Sequence, residues 1–142
     1  MKHNFKLCSL VLCLTLLTGC VSREQANAKL GKACEAAAGV FRSEGFTVKS
    51  VKRVTSKPSK EFGNGYRDIT VFVTESDSWL DVDKEYKCVF AEEFGMFNTT
   101  FTADFYQLDV DDQVYGMKDG QLHGEADVQV KLMRAVASAM QD

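Results

Sequence analysis

Asp81 with Asp83, and Asp109 with Asp111 and Asp112, are the residues whose types and spacing come nearest to chemistry. Two carboxylates facing each other across a cleft are what glycoside hydrolysis needs. These acids stand in polar stretches, "SDSWLDVD" and "DVDD", where carboxylates are ordinarily solvated. "DVDDQVYG" offers carboxylates at alternate positions, as wrapping a hard cation requires. Gln113 and Val114, however, occupy the places of a further oxygen ligand and a turn glycine. His123, the only histidine beyond His3, cannot serve as both acid and base without a carboxylate's help, and the chain has no G-x-S-x-G elbow. The expectation is a protein without catalysis, metal or cofactor.

Cysteine is the other reactive type, and the chain has five. Cys20 closes the stretch "LLTGC". Before it come Lys2 and Lys6 with no acid, an apolar run from Leu7 to Leu17, and the small residues Thr18 and Gly19. That order is the grammar of a secretory signal, and an eleven-residue run is too short for a permanent bilayer span. Leu17-Thr18-Gly19-Cys20 resembles the lipobox of bacterial lipoproteins. The resemblance implies cleavage before Cys20, a diacylglycerol on its sulfur through a thioether, and often an acylated amine. The alternative is an ordinary secretory signal whose cleavage region contains a cysteine. In enteric-type lipoproteins an aspartate after the cysteine signals inner-membrane retention; Val21 stands there, so the resemblance implies the outer membrane. The membrane partner is then reached through lipid on Cys20.

Cys8 and Cys13 leave with such a signal, and Cys34 and Cys88 remain. In an oxidising compartment two remaining cysteines read as one disulfide, with a pair of buried free thiols as the alternative. Closing that loop stabilises the fold by about 4 kcal/mol in the chain-entropy model. One histidine with two thiols gives no usual metal-ligand spacing.

The elements that position these residues follow from periodicity. From about Glu24 to Glu44, Ala26, Leu30, Ala33, Cys34, Ala37, Val40 and Phe41 fall on one helical stripe, with Gly45 placed to end the helix. "FTVKSVKRV" is rich in strand formers but irregular. "DITVFVT" puts Ile69, Val71 and Val73 on one face, and "EYKCVF" does the same for Tyr86, Cys88 and Phe90. "FNTTFTADF" alternates most clearly, with Phe97, Thr99, Phe101, Ala103 and Phe105 at spacing two. Asn64-Gly65 and Asp119-Gly120 read as tight hairpin turns. From Asp127 onward Val128, Leu132, Ala135, Val136 and Ala139 repeat at helical spacing, although Ala126, Val128 and Val130 also suit a short strand.

Helix, strands, helix, with hairpin-sized connections, predicts an α+β fold: an antiparallel sheet of four to five strands with N- and C-terminal helices packed on one face. Residues 1–19 form the signal peptide, 20–26 a short lipid-anchored linker, and 27–142 a single periplasmic domain. At 142 residues and 45% hydrophobic content the chain is long enough for one core.

Two features point to binding. Residues 20–60 carry nine basic and three acidic groups, whereas residues 61–142 carry six and seventeen. Lys49, Lys52, Arg53, Lys57 and Lys60 come without an intervening acid, and form either a basic edge facing anionic lipid or an acidic partner, or a solvated edge strand. Trp79, the only tryptophan, either anchors a protein interface or folds back over the sheet. The acidic remainder and the compartment disfavour nucleic acid. The expected function is a lipid-anchored envelope protein, in the outer membrane and facing the periplasm, whose small non-catalytic domain binds another envelope component as an accessory or assembly lipoprotein. The alternative is an inhibitor or immunity lipoprotein blocking a hydrolase or toxin.

Overall fold

Ser22 opens the first helix with a reciprocal cap: its hydroxyl accepts from the Gln25 amide while the Gln25 side chain accepts from the Ser22 amide. The computed structural model describes residues 19–141, so the signal peptide expected over residues 1–19 lies, apart from Gly19, outside the described residues. Helix α1 spans Arg23–Gly39. It is followed by β1 (Thr47–Pro58), β2 (Tyr66–Ser76), β3 (Asp81–Phe94), a 3₁₀ turn (Met96–Asn98), β4 (Phe101–Val110), β5 (Gln113–Lys118), β6 (Gln121–His123) and α2 (Ala126–Gln141). The strands form one antiparallel sheet in chain order, and both helices cover the same face. The sheet has six strands rather than four or five. The added one, β6, is a three-residue return through Asp119 and Gly120, both at positive φ as a tight hairpin requires.

The apolar stripes meet where their periods aim them. Ala26, Leu30, Ala33, Cys34 and Ala37 of α1 are buried over Ile69, Val71 and Val73 of β2 and Tyr86, Cys88 and Phe90 of β3. Leu108 and Val110 of β4, with Leu132 and Val136 of α2, complete the core. Val130 is exposed on α2, so the last segment is a helix and not a strand. Gly31 lets α1 lie against β1, since a Cβ there would stand 3.0 Å from a Val54 methyl. Cys34 and Cys88 are joined by a disulfide with their Cα atoms 5.7 Å apart.

Bulges explain why "FTVKSVKRV" has no clean alternation. Pairing of β1 with β2 shifts twice, between Val48 and Ser50 and between Val51 and Arg53, and each extra residue moves later side chains to the opposite face. A third shift, between β3 and β4, leaves Tyr106 unpaired. Its ring joins Phe62 and Tyr66 on the face away from the helices.

Four further expectations are corrected. Helix α1 stops at Gly39 and not near Glu44, because Phe41 turns onto the Tyr115 ring, with centroids 4.1 Å apart, and Arg42 turns to Glu75. Residues 20–26 are not a linker: the Val21 amide donates to the Asn98 carbonyl at 2.7 Å, and the helix starts two residues later. Phe97 and Thr99 are not strand residues, since the chain makes the 3₁₀ turn there and β4 begins at Phe101. Asn64 and Gly65 belong to a longer loop between Pro58 and Tyr66, not a two-residue turn.

Two charge clusters flank the disulfide. Glu92 accepts from Arg67 at 2.8 Å and from Arg23 at 2.6 Å, while Arg67 also donates to Ser56, whose hydroxyl donates to Asn27. Buried Glu75 accepts from Arg42 and from the Tyr86 hydroxyl, both at 2.8 Å. Burial, then the Glu75 carboxylate, pushes Tyr86 ionisation far above its ordinary value of about 10.

Two stability measurements test this framework. Replacing both Cys34 and Cys88 with alanine is expected to lower unfolding free energy by about 4 kcal/mol, read as a fall in the urea midpoint; an unchanged midpoint would contradict the crosslink's role. Because the folded-state ionisation of Tyr86 is raised, its contribution is complete below about pH 10 and is lost as pH climbs toward the folded value. Tyr86→Phe is expected to cost about 1–3 kcal/mol at neutral pH by removing a hydrogen bond from a buried carboxylate. The variant should then lose stability less steeply than the native chain above about pH 10, and parallel curves would refute this account.

Candidate functional site

The β2–β3 hairpin turns at Asp77, Ser78, Trp79 and Leu80. Asp77 organises it: one carboxylate oxygen accepts from the amides of Trp79 at 2.8 Å and Leu80 at 2.7 Å, and the Asp77 amide donates to the Leu80 carbonyl at 3.2 Å. The backbone is therefore tied down while the side chains point away. Trp79 is 95% exposed and Leu80 56% exposed, so the tryptophan projects and does not fold back over the sheet. Below this apolar tip Lys49 pairs with Asp81, and the Thr47 hydroxyl donates to the Ser76 carbonyl.

Cys20 sits at the other end of the sheet. Its sulfur lies 3.4 Å from the Phe97 carbonyl oxygen, in the turn that leaves β3 just beyond Phe94. The hairpin tip enters β3 at Asp81. The thirteen steps from Asp81 to Phe94, at about 3.3 Å each, separate the two ends by roughly 40 Å.

The basic residues do not form one positive surface. β1 lies next to β2, and the acids of β3 stand on the same outer face one strand further, about 10 Å away, within a lysine's reach. Lys52 accordingly donates to both oxygens of Asp83 at 2.7 Å, and the Thr74 hydroxyl donates to the same carboxylate from the intervening strand. Arg53 lies over the Phe72 ring at 4.2 Å. Lys57 and Lys60 make no ion pair among the described residues. Lys57 borders a shallow groove of about 180 Å³ with Asp68, Lys87, Gln107 and Asp109, and the buried Gln107 amide oxygen has no hydrogen-bond partner among the described residues.

Of the candidate carboxylates, Asp81, Asp83 and Asp111 are each committed to a lysine, while Asp109 lies in β4. Asp81 and Asp83, expected in a loop, are in β3, and both are held below the ordinary carboxylate range. For Asp81 the hydrogen bond from Lys49 is the main cause, followed by Ser76; for Asp83 it is Lys52, followed by Thr74. A general acid at neutral pH needs the opposite shift. Asp111 and Asp112 form the two-residue β4–β5 turn at positive φ, and Asp111 accepts from Lys84 at 2.8 Å. His123 ends β6 with its ring exposed, and its carbonyl accepts from the Gln129 side chain. Sequence reasoning missed Met96 and Phe97, because Phe97 fits the alternating pattern of the following strand; the only contrary signal is Gly95 just before them.

The Lys52–Asp83 pair has a direct test. The Asp83 carboxyl, followed by NMR from acid to neutral pH, is expected to titrate below 3.8 in the native chain and to move up toward that value in Lys52→Ala. An inflection unaffected by the substitution would show that the pair does not form in solution. No protein-family model matches this chain, and no match was found among curated proteins or among solved structures.

Proposed function

We propose that this chain is a lipid-anchored envelope protein whose domain binds another envelope component through the Trp79–Leu80 hairpin tip, without chemistry of its own. Its place on this reading is the outer membrane, facing the periplasm, held by lipid on Cys20. The observation that carries the proposal is the pairing of a fully projecting tryptophan with a rigid turn. A large amphipathic side chain held ready on a fixed backbone loses little freedom on docking, and such residues dominate binding energy at interfaces. The tip also stands at the far end of the sheet from Cys20, so a membrane-tethered domain presents it outward.

The narrowness of the tip favours one further reading. A single tryptophan with a neighbouring leucine, carried on a four-residue turn at the end of the sheet, suits insertion into a cleft, as an inhibitor or immunity lipoprotein blocking a hydrolase or toxin requires. In both readings the same two side chains make the contact.

Crosslinking of a tagged, lipidated copy in intact cells, followed by mass spectrometry, separates these. One envelope protein captured by the native chain and lost with Trp79→Ala supports the accessory role; equal capture by both removes the tip from the function. Capture only after challenge with a hydrolase or toxin supports the inhibitor. With the captured protein purified, Trp79→Ala is expected to weaken binding by at least about 2 kcal/mol, roughly 30-fold, while leaving the unfolding midpoint nearly unchanged because the side chain touches no core.

A further inference from the structure

Met96 and Phe97 are 83% and 86% exposed at the turn between β3 and β4. They are not loose. The Gly95 amide donates to the Thr100 carbonyl, the Asn98 amide to the Gly95 carbonyl, and both the amide and hydroxyl of Thr99 to the Met96 carbonyl. Phe97 and Asn98 both have φ of 56°, in the left-handed region, which asparagine tolerates but which costs roughly 1–2 kcal/mol at Phe97. At the base of the turn the rings of Phe94 and Phe101 pack together at 4.9 Å, with the Arg23 guanidinium over Phe94 at 4.3 Å, and both rings keep some exposed apolar surface. Phe97 points to solvent from a strained backbone, forgoing roughly 2 kcal/mol of burial. A fold that holds two apolar side chains outward in this way fits an apolar medium outside it.

Cys20 supplies the identity of that medium. Its sulfur is 3.4 Å from the Phe97 carbonyl oxygen, and the next residue, Val21, is hydrogen-bonded to Asn98. A thioether at this sulfur has no S–H to donate, but it starts from the same place, so acyl chains carried there enter the bilayer beside Met96 and Phe97. No slack chain lies between the sulfur and the domain, because α1 begins at Arg23 and is capped by Ser22. Asn98, Thr99 and Thr100 surround the apolar pair with polar groups suited to the headgroup level.

We infer that Met96 and Phe97 are a membrane wedge: they insert into the acyl–headgroup boundary next to the lipid on Cys20 and fix the domain upright, with β3 rising from the bilayer and Trp79 about 40 Å above it. The inference rests on lipidation of Cys20. A single attachment point lets a domain swing about its thioether, whereas a second apolar contact beside it sets the tilt.

The native chain carries one tryptophan, Trp79, far from the wedge, which makes fluorescence the test. The full chain, expressed with its own leader, is reconstituted into phosphatidylethanolamine/phosphatidylglycerol vesicles with plain or brominated acyl chains. Phe97→Trp is placed in a Trp79→Phe background, and Met96→Trp in the same background guards against a variant that does not fold. The expected result is a blue-shifted emission that loses roughly half its intensity to bromine for a wedge tryptophan about 5–10 Å deep, and an unquenched, water-like Trp79 in the native chain.

Water-like, unquenched emission from both wedge variants would overturn the inference, and so would quenching of Trp79, which would mean a domain lying flat. A blue shift without quenching would show that a second copy or another protein covers the pair, and would also overturn it. The mass of the N-terminal peptide separates the two levels. Cys20 without diacylglycerol defeats the anchor reading and the wedge together; diacylglycerol on Cys20 with unquenched wedge variants defeats the wedge alone.

Discussion

The attachment of α1 to the sheet is the constraint on which the rest depends. Its inner face is mostly alanine, with Leu30 the one large aliphatic side chain buried there, so area burial alone grips it weakly. The Cys34–Cys88 crosslink pins its middle, and a charge cluster holds each end: Arg23 on Glu92 at the start, and Arg42 on Glu75 just past the finish. Glu92 and Glu75 are carboxylates withdrawn from water, and each is compensated by two donors or more, which is the condition for such a group to be tolerated. Because Cys20 leads directly into α1, whatever fixes that helix on the sheet also fixes the position of Cys20.

From this follows the polarity of the molecule. Among the described residues β3 is the longest strand, and it runs the full distance between Cys20's end and the hairpin tip. One end combines Cys20 with Met96 and Phe97, and the other carries Trp79 and Leu80. Both tips hold apolar side chains outward on turns whose backbone hydrogen bonds are made, by Asp77 in one case and by Gly95 and Thr99 in the other. Between them the outer face of the sheet carries opposed charges, Lys49 and Lys52 against Asp81 and Asp83, together with the half-buried rings of Phe62, Tyr66 and Tyr106. The most exposed apolar side chains, Trp79, Met96 and Phe97, thus stand at the two extremities, with smaller exposed positions such as Val51, Val54, Leu122, Val130 and Met133 along the body.

Much of the interior was legible in the chain. Ile69, Val71 and Val73, then Tyr86, Cys88 and Phe90, share their faces as alternation requires, and Ala26, Leu30, Ala33, Cys34 and Ala37 share theirs as a 3.6-residue period requires. With those stripes facing one another, the pairing of the two cysteines needed no further information. Periodicity works here because burial acts on neighbours a fixed number of residues apart, and every one of these elements is long enough to repeat it.

The surface was decided elsewhere. The lysines of β1 read as a basic row until the register of three strands sets Lys49 and Lys52 across from Asp81 and Asp83, 32 and 31 residues away in the chain. Phe97 matches the alternation of the strand after it, and only the closure of a turn against Val21 removes it from that strand. Helix α1 has the composition to continue past Gly39, but Phe41 and Arg42 find partners on β5 and β2 that local propensity does not contain. By itself the sequence determined which residues are inside, because burial follows spacing along the chain; which charges pair, where the apolar side chains break out and how far apart they stand were left to tertiary structure, because one bulge or one turn shifts every later side chain by a face.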